Sequence, residues 1–235
     1  MRVGIIQSNY IPWRGYFDFI DDVNLFIFYD DVLYGQGKKW RNRNRIKTSK
    51  GLVWLTVPLK HGRADKLINE VEIDYSQDWP ISHVRLLKAN YGESPYFTQY
   101  IDEFFGIISK GFQTISELNV NLCRWIMAIM GITSEIRMSH EFKAVGDKRQ
   151  RPLNILRKVA AKEYVLGPSA EPYTDLDLFR EHGIRLEYKS YDYQAYPQLW
   201  GEFIGEVTIL DLLFNTGPEA RQYLKSRTPN QVVVT

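Results

Sequence analysis

The stretch from Gln7 to Lys47 concentrates polar and aromatic residues whose types could do chemistry. It begins directly after a short β-branched run at 2–6, which predicts a buried strand. Ligands of open α/β sheets bind beyond the carboxyl ends of strands, and amide side chains placed there contribute little to packing. We therefore interpret the first part as a ligand-binding loop, the alternative being a turn tied by its own hydrogen bonds. The candidate binding residues are Gln7, Asn9, Tyr10, Trp13 and Tyr16, and the candidate base is Asp18.

Two adjacent carboxylates, Asp30 and Asp31, follow a second apolar run at 24–29. Their position matches that of the first loop, so the two segments could share one pocket. Two carboxylates held close together can keep one proton near neutral pH, which suits general acid–base chemistry. They could also bind an amine or a metal, and the alternative is a solvated turn with a helix cap.

A basic stretch at 36–50 contains seven cations and no acid in a chain whose net charge is +2. Arginine suits bidentate contacts to phosphate, and interleaved indole and amide groups add stacking and directional hydrogen bonds. A nucleotide, a nucleotide-sugar diphosphate or phosphopantetheine would fit, whereas a single basic stripe argues against nucleic acid. A solvated strand face is the alternative. The cations are Lys38, Lys39, Arg41, Arg43, Arg45, Lys47 and Lys50, and the interleaved residues are Trp40, Asn42 and Asn44. Strand alternation predicts that Arg41, Arg43, Arg45 and Lys47 face one way, and that Trp40, Asn42, Asn44 and Ile46 face the other.

His83 opens a predicted helix and is the best histidine candidate for a general base, because its ordinary pKa lies near neutrality. A structural histidine in a first turn is the alternative. Cys123 lies among apolar residues in a helix, which indicates a buried, inert thiol. The chain contains no phosphate-binding glycine motif, no nucleophile elbow and no metal-ligand spacing, so we predict no metal site.

The elements that must position these residues alternate between strands and helices. Strands are predicted at 2–6, 24–29, 39–47, 52–59, 163–166 and 184–189, and helices at 16–22, 81–91, 96–109, 115–130, 152–162, 174–182 and 203–214. The pattern predicts an α/β fold: a mainly parallel sheet flanked by helices, with a helical middle segment. We expect a single α/β domain over 1–235, with a helical subdomain at about 79–132 and a frayed tail from Arg227.

Composition limits the classes of protein to consider. With 44% hydrophobic and 25% charged residues, the chain is typical of globular proteins. Its small net charge gives no general case for binding nucleic acid or anionic membranes. No apolar run approaches the roughly 20 residues that membrane insertion requires, and no signal peptide is recognisable. One cysteine suits a reducing compartment, so we expect a cytoplasmic protein.

Several long motifs resemble those of the WbqC-like protein family. They are GIIQSNYIPWRGYFDFI, FYDDVLY, KKWRNRNRIKT, WLTVPL and ILDLLFNTG, together with the region from His83 to Tyr91. A typical member has proline after the glutamine of the first motif. This chain has Ser8 there, and we expect that difference to loosen the loop.

The resemblance implies a role in modifying an amino sugar of bacterial surface polysaccharide of the O-antigen type. The implied reaction is transfer of an acyl or aminoacyl group from a carrier-protein, phosphopantetheine or coenzyme A thioester to the amine of a nucleotide-linked amino sugar, with no bound cofactor. His83, Asp18, Asp30 or Asp31 would act as base, and Gln7, Asn9, Asn42 or Asn44 would bind the oxyanion. Arg41, Arg43 and Lys47 would hold the diphosphate, and Trp13, Tyr16 and Trp40 would stack on a ring. We also predict that Arg41, Arg43 and Asp30 share one pocket.

Two other functions stay open. The order strand, loop, helix, strand resembles that of the HxGH nucleotidyltransferases, which bind nucleoside triphosphates, but both motif histidines are missing and Trp13 and Tyr16 stand nearby. A non-catalytic binding protein of a polysaccharide assembly pathway is the second alternative.

Overall fold

A computed structural model gives the structure of the chain. It describes residues 1–37, 40–147 and 149–235, apart from the side chains at 172 and 173. The predicted cations Lys38 and Lys39 therefore lie outside the described residues.

The elements alternate as predicted. The strands are β1 Arg2–Ile6, β2 Leu25–Phe28, β3 Arg43–Thr48, β4 Gly51–Thr56, β5 Glu135–Met138, β6 Glu163–Leu166, β7 Arg185–Tyr188 and β8 Gln231–Val234. The α-helices are α1 Arg14–Asp21, α2 Trp79–Tyr91, α3 Phe97–Ile108, α4 Ile115–Met130, α5 Gln150–Lys158, α6 Leu176–Glu181 and α7 Ile209–Thr216.

Six strands form one sheet in the order β5-β2-β1-β6-β7-β8. All neighbours are parallel except β7 and β8. From β1 the chain moves outward through β2 to β5, then crosses back to β6 and continues outward through β7. The direction of winding therefore reverses between β1 and β6, which is where α/β sheets of this kind bind ligands. The predicted α/β class with a mainly parallel sheet is confirmed.

The two faces of the sheet bury separate apolar clusters. On one face α1, α7 and the helical middle segment share a core that includes Phe17, Phe26 and Phe28. On the other face α5 and α6 pack through Leu153, Leu156 and Phe179. A parallel sheet covered on both faces explains why β2 is buried at every position.

The helical middle segment follows from strong local signals. Helix α4 begins at a capping box in which Thr114 and Glu117 bond reciprocally to backbone amides. It ends at Gly131, whose φ of 62° is a conformation that glycine adopts without strain. Within the described residues, no helix combines the length and apolar character that a bilayer-spanning segment needs.

Two predictions about elements are wrong, and one strand was not predicted. The tail is not frayed, because β8 pairs antiparallel with β7. The segment 203–208, predicted as the start of a helix, is irregular, and α7 begins only at Ile209. The short edge strand β5 was not predicted, because its sequence EIRM alternates charged and apolar residues over only four positions.

Candidate functional site

A cavity of about 280 Å³ lies between the loop that follows β1 and the β3–β4 hairpin. We call it the loop cavity. It lies beyond the carboxyl end of β1, where sequence reasoning placed the binding loop. Four predicted binding residues line it, together with three others. The lining residues are Asn9, Pro12, Trp13, Trp40, Asn44, Arg45 and Glu206.

Asn44 holds the wall of the loop cavity in a strained conformation. Ile11 is fully buried at φ 35°, a backbone region that β-branched residues avoid. The Asn44 side-chain amide donates to the carbonyl oxygens of Tyr10 at 3.1 Å and Ile11 at 2.8 Å. The Thr208 hydroxyl donates to the Ile11 carbonyl at 2.8 Å. Both protons of the Asn44 amide are therefore used by the loop, so this residue shapes the cavity and is not placed to bind an oxyanion.

Trp13 forms a second wall and covers the first turn of α1. Its indole packs edge-on against Tyr191 at 5.1 Å and Tyr193 at 5.7 Å between ring centroids. A β-carbon on Gly15 would overlap the Trp13 indole. Gly15 therefore lies within α1 because only glycine leaves room for this ring.

Arg45, Trp40 and Glu206 form the open side of the loop cavity. The Arg45 guanidinium pairs with Glu206 at 3.1 Å and lies 5.3 Å from the centre of the Trp40 ring. Trp40 is 47% exposed and packs against Trp54 at 5.1 Å. The predicted alternation of β3 holds from Arg43 to Lys47, but Trp40 precedes the strand and shares a side with Arg45. The prediction that it faces away is wrong.

Arg41, Asn42 and Arg43 do not line the loop cavity. Arg41 donates to the Tyr34 carbonyl at 3.1 Å, and burial lowers its pKa. The Asn42 side chain accepts from the Tyr34 hydroxyl and donates to the carbonyl of Val57, the residue after β4. Both ends of its amide are therefore used. The Arg43 guanidinium stacks 3.4 Å from the centre of Trp54. Arg41 and Asp30 lie close enough to interact electrostatically, but Arg43 turns to Trp54, so the prediction that all three share one pocket is wrong.

Lys47 fastens a long irregular segment to the hairpin. This segment, residues 189–208, connects β7 to α7, and we call it the strap. The Lys47 ammonium is buried and donates to the Gln198 side chain at 2.8 Å and to the Glu202 carbonyl. Lys47 therefore positions the strap, which carries Glu206 to the cavity. The prediction that Lys47 holds a diphosphate does not agree with this position.

Asp30 and Asp31 point in different directions. Asp30 accepts from the Ser8 amide at 2.8 Å and from the Ser116 hydroxyl, and burial raises its pKa. Asp31 pairs with Arg151 and accepts from a serine hydroxyl. The two carboxylates therefore do not form the predicted proton-sharing pair in the cavity.

Ser8 tightens the loop instead of loosening it. It is fully buried, its amide donates to Asp30, and its hydroxyl accepts from Asn119 at 3.1 Å. Proline at this position would have no N–H to donate. The expectation of a looser loop is wrong, because serine adds two hydrogen bonds there.

Four further predicted site residues lie within the protein interior or at its margin. Asp18 is buried, pairs with Lys189 at 2.9 Å and accepts from the Tyr193 hydroxyl at 2.8 Å, so it anchors the strap. The Tyr16 hydroxyl donates to the Gln7 carbonyl at 2.9 Å. Tyr10 is fully buried. None of them lines the loop cavity.

His83 is a buried, neutral histidine. Its Nδ1 lies 2.9 Å from the Tyr10 hydroxyl and its Nε2 lies 3.2 Å from the Thr56 carbonyl. A carbonyl oxygen can only accept, so Nε2 carries the proton and Nδ1 accepts from Tyr10. Burial lowers the pKa of His83 to about 4. Both ring nitrogens are used, so the geometry does not present a base to the cavity.

This burial makes stability depend on pH. Between the ordinary value of 6.5 and about 4, the unfolded chain takes up a proton on His83 that the folded chain does not. As the pH falls through this window, we expect the free energy of unfolding of the wild type to fall relative to that of His83→Gln. The loss is at most about 1.4 kcal/mol per pH unit. Urea titrations at several pH values would measure it. A difference that stays constant between neutrality and pH 4 would contradict the assignment.

Asp211 is a buried carboxylate that the sequence analysis missed. It accepts from the hydroxyls of Tyr91 and Tyr196, each at 2.8 Å, and from Gln198 at 2.7 Å. Burial raises its pKa. The signal that could have found it is a lone acid inside the apolar run ILDLLF, since an ionisable residue there needs partners.

The strand order and the loop cavity define an α/β protein whose candidate site lies beyond the carboxyl end of the first strand. The chain belongs to the WbqC-like protein family, whose family model matches residues 7–223. It is similar to "Uncharacterized protein Rv1507c" of Mycobacterium tuberculosis (strain ATCC 25618 / H37Rv), with 45% identity over 227 residues, covering 95% of this chain and 97% of the relative. No solved structure matches the chain.

Proposed function

We propose that this protein transfers an acyl or aminoacyl group from a thioester to the amine of a nucleotide-linked amino sugar, in bacterial surface-polysaccharide biosynthesis of the O-antigen type. The observation that carries the proposal is the loop cavity, where two indoles, an amide, a guanidinium and a carboxylate meet. These are the groups that would stack on a sugar, bind an oxyanion and accept a proton.

Recognition of the acceptor would use both indoles and Arg45. The rings of Trp13 and Trp40 offer flat apolar surfaces for the faces of a sugar. The Arg45 side chain is partly exposed, and the hydrogen bonds of its guanidinium to the described residues all run from one terminal nitrogen to Glu206. A guanidinium with unused donors suits the phosphate of a nucleotide-linked sugar.

The chemistry moves one proton from the amine nitrogen to the leaving sulfur and needs no covalent enzyme intermediate. The amine nitrogen attacks the thioester carbonyl carbon, and the positively charged nitrogen of the adduct then becomes acidic enough to give a proton to a carboxylate. The C–N bond forms, the C–S bond breaks, and the leaving thiolate takes the proton back from the carboxyl group, which restores the carboxylate. Asn9 and Arg45, which line the loop cavity, would stabilise the oxyanion, and Glu206, the carboxylate at this cavity, would accept the proton.

Glu206 replaces the bases predicted from the sequence. Asp18, Asp30 and Asp31 are tied into hydrogen bonds and ion pairs away from the loop cavity, and both nitrogens of His83 are engaged. The Glu206 side chain is 77% exposed and reaches the cavity from the strap. The thioester would come from coenzyme A or from the phosphopantetheine arm of a carrier protein, which places the proposed reaction in the cytoplasm.

One feature counts against nucleotidyl transfer. Triphosphates bind at helix N-termini that present open backbone amides. The Trp13 indole covers the first turn of α1 and occupies the space above Gly15, where a triphosphate would approach the backbone amides.

The test is turnover with matched variants. Purified protein would be incubated with acyl and aminoacyl thioesters and with UDP- or dTDP-linked amino sugars, and free thiol and amide product would be measured. We expect product with the wild type, a loss of about 100-fold or more in Glu206→Gln, and little change in Glu202→Gln. Glu202 is the control because it is an exposed glutamate of the same strap that does not line the cavity.

Three results would contradict the proposal. The first is wild-type product formation that Glu206→Gln leaves unchanged. The second is the absence of product with every thioester, and the third is product that forms only with a nucleoside triphosphate.

A further inference from the structure

A second cavity, of about 460 Å³, lies beyond the carboxyl end of β6. We call it the β6 cavity. Leu166, the last residue of β6, lines it, and so do residues from the segment that follows. Residues at the start of α5 complete it. Nothing in the loop-cavity chemistry uses this space.

Its position is that of a ligand site in a doubly wound sheet. The direction of winding reverses between β1 and β6, and crevices outside the carboxyl ends of such strands bind ligands. The loop cavity lies beyond β1, and the β6 cavity lies beyond its neighbour. The two cavities therefore flank the same switch point.

The lining of the β6 cavity has an apolar floor and a polar rim. The floor contains the rings of Tyr164 and Phe179, whose centres are 5.6 Å apart, with Leu166 and Leu178 beside them. The rim carries one cation, Arg149, and two carboxylates, Asp147 and Asp175, all three exposed. A flat apolar ring with hydroxyl groups and a phosphate is the ligand that this combination fits: the base would lie on the floor, ribose hydroxyls would donate to a carboxylate, and the guanidinium would bind phosphate.

We propose that the β6 cavity binds the nucleoside diphosphate portion of a substrate. The remainder of that substrate would extend to the loop cavity across the carboxyl ends of β6 and β1. This inference rests on the proposed function, since it assigns a place to the nucleotide of one of the two reactants. A nucleoside diphosphate occurs both in the nucleotide-linked sugar acceptor and in coenzyme A.

Contacts along the sheet edge connect the two cavities. Trp13 of the loop cavity packs against Tyr191 at 5.1 Å. A β-carbon on Gly167 would lie 3.5 Å from the Tyr191 hydroxyl oxygen, and Gly167 directly follows Leu166 of the β6 cavity. The Tyr191 side chain, in contact with Trp13 and lying over Gly167, therefore forms a shared wall between the two cavities, and a substrate that reaches both would pass beside it.

The test measures binding alone, by calorimetry, with UDP, dTDP, ADP and coenzyme A as probes. Ala170→Trp fills the β6 cavity from a half-buried position, and Arg149→Ala removes a rim cation without disturbing the core. Ala128→Trp is the matched control, since it adds the same side chain at an exposed position of α4. We expect at least one probe to bind the wild type, about tenfold or more weaker binding to Ala170→Trp, weaker binding to Arg149→Ala, and unchanged binding to the control.

The probes also identify the source of the nucleotide. Binding of UDP or dTDP without ADP would support the proposal with the acceptor in the β6 cavity, and binding of ADP and coenzyme A without the pyrimidines would support it with the donor there. Binding of no probe, or equal binding by the wild type, Ala170→Trp and Arg149→Ala, would overturn it. Neither thioester nor amine is present, so this result is independent of whether acyl transfer occurs.

Discussion

Replacing Asp211 by alanine is expected to lower the free energy of unfolding by about 3–5 kcal/mol. The carboxylate is fully buried and accepts three hydrogen bonds, from Tyr91, Tyr196 and Gln198. The buried Lys47 ammonium donates to the same Gln198 side chain. Removing the carboxylate leaves these donors unpaired and this cation uncompensated in the interior, which is among the costliest changes in a protein.

Urea denaturation would measure this loss. Asp177→Ala is the control, because Asp177 is 81% exposed and pairs with Arg180 on the same helix. Surface pairs of this kind contribute little, so we expect almost no change there. Equal stability of Asp211→Ala and the control would show that the buried network does not hold α7 and the strap together.

Replacing Asn44 by alanine is expected to lower the free energy of unfolding by about 2–4 kcal/mol and to weaken binding of a nucleotide-linked amino sugar. The Asn44 amide donates to the carbonyls of Tyr10 and Ile11, and its oxygen accepts from the Arg45 amide at 2.8 Å. Without it, two buried carbonyls lose a donor, and Ile11 has less to hold it at φ 35°. The loop would then relax, and the cavity wall would lose its shape.

Asn42→Ala separates the two effects. Asn42 belongs to the same sequence motif as Asn44, and its side chain also makes two hydrogen bonds. Its partners are the Tyr34 hydroxyl and the Val57 carbonyl, and not the loop that follows β1. We expect Asn42→Ala to lose stability while sugar binding, measured by calorimetry, is kept. Equal loss of binding in both variants would mean that the loop does not depend on Asn44 in particular.

The elements that sequence reasoning placed correctly are those with strong local signals. β1, α4 and β6 have the predicted bounds, because β-branched runs, a capping box and a terminal glycine act within a few residues. β8 was missed because its stability comes from pairing with β7, which lies more than forty residues earlier in the chain. A short apolar tail gives no local sign of such a partner.

Some of the residues that line the loop cavity were named from the sequence. Asn9, Trp13, Trp40 and Asn44 are binding residues predicted from the motifs, and all four line the cavity. Glu206 was missed because it was placed inside a predicted helix, whereas it lies on the irregular strap that reaches the cavity from the far end of the chain. Arg41, Arg43 and Lys47 were grouped by strand alternation. Strand alternation predicts only which face of the strand each side chain occupies. The partner that each cation contacts on that face depends on the tertiary fold.

The most direct test of the central claim is the structure of the protein with a UDP- or dTDP-linked amino sugar. We expect the amino sugar between Trp13 and Trp40, with its amine within hydrogen-bond distance of Glu206 and a phosphate near Arg45. An amino sugar bound elsewhere, with the loop cavity unchanged, would show that this cavity is not the site of the reaction.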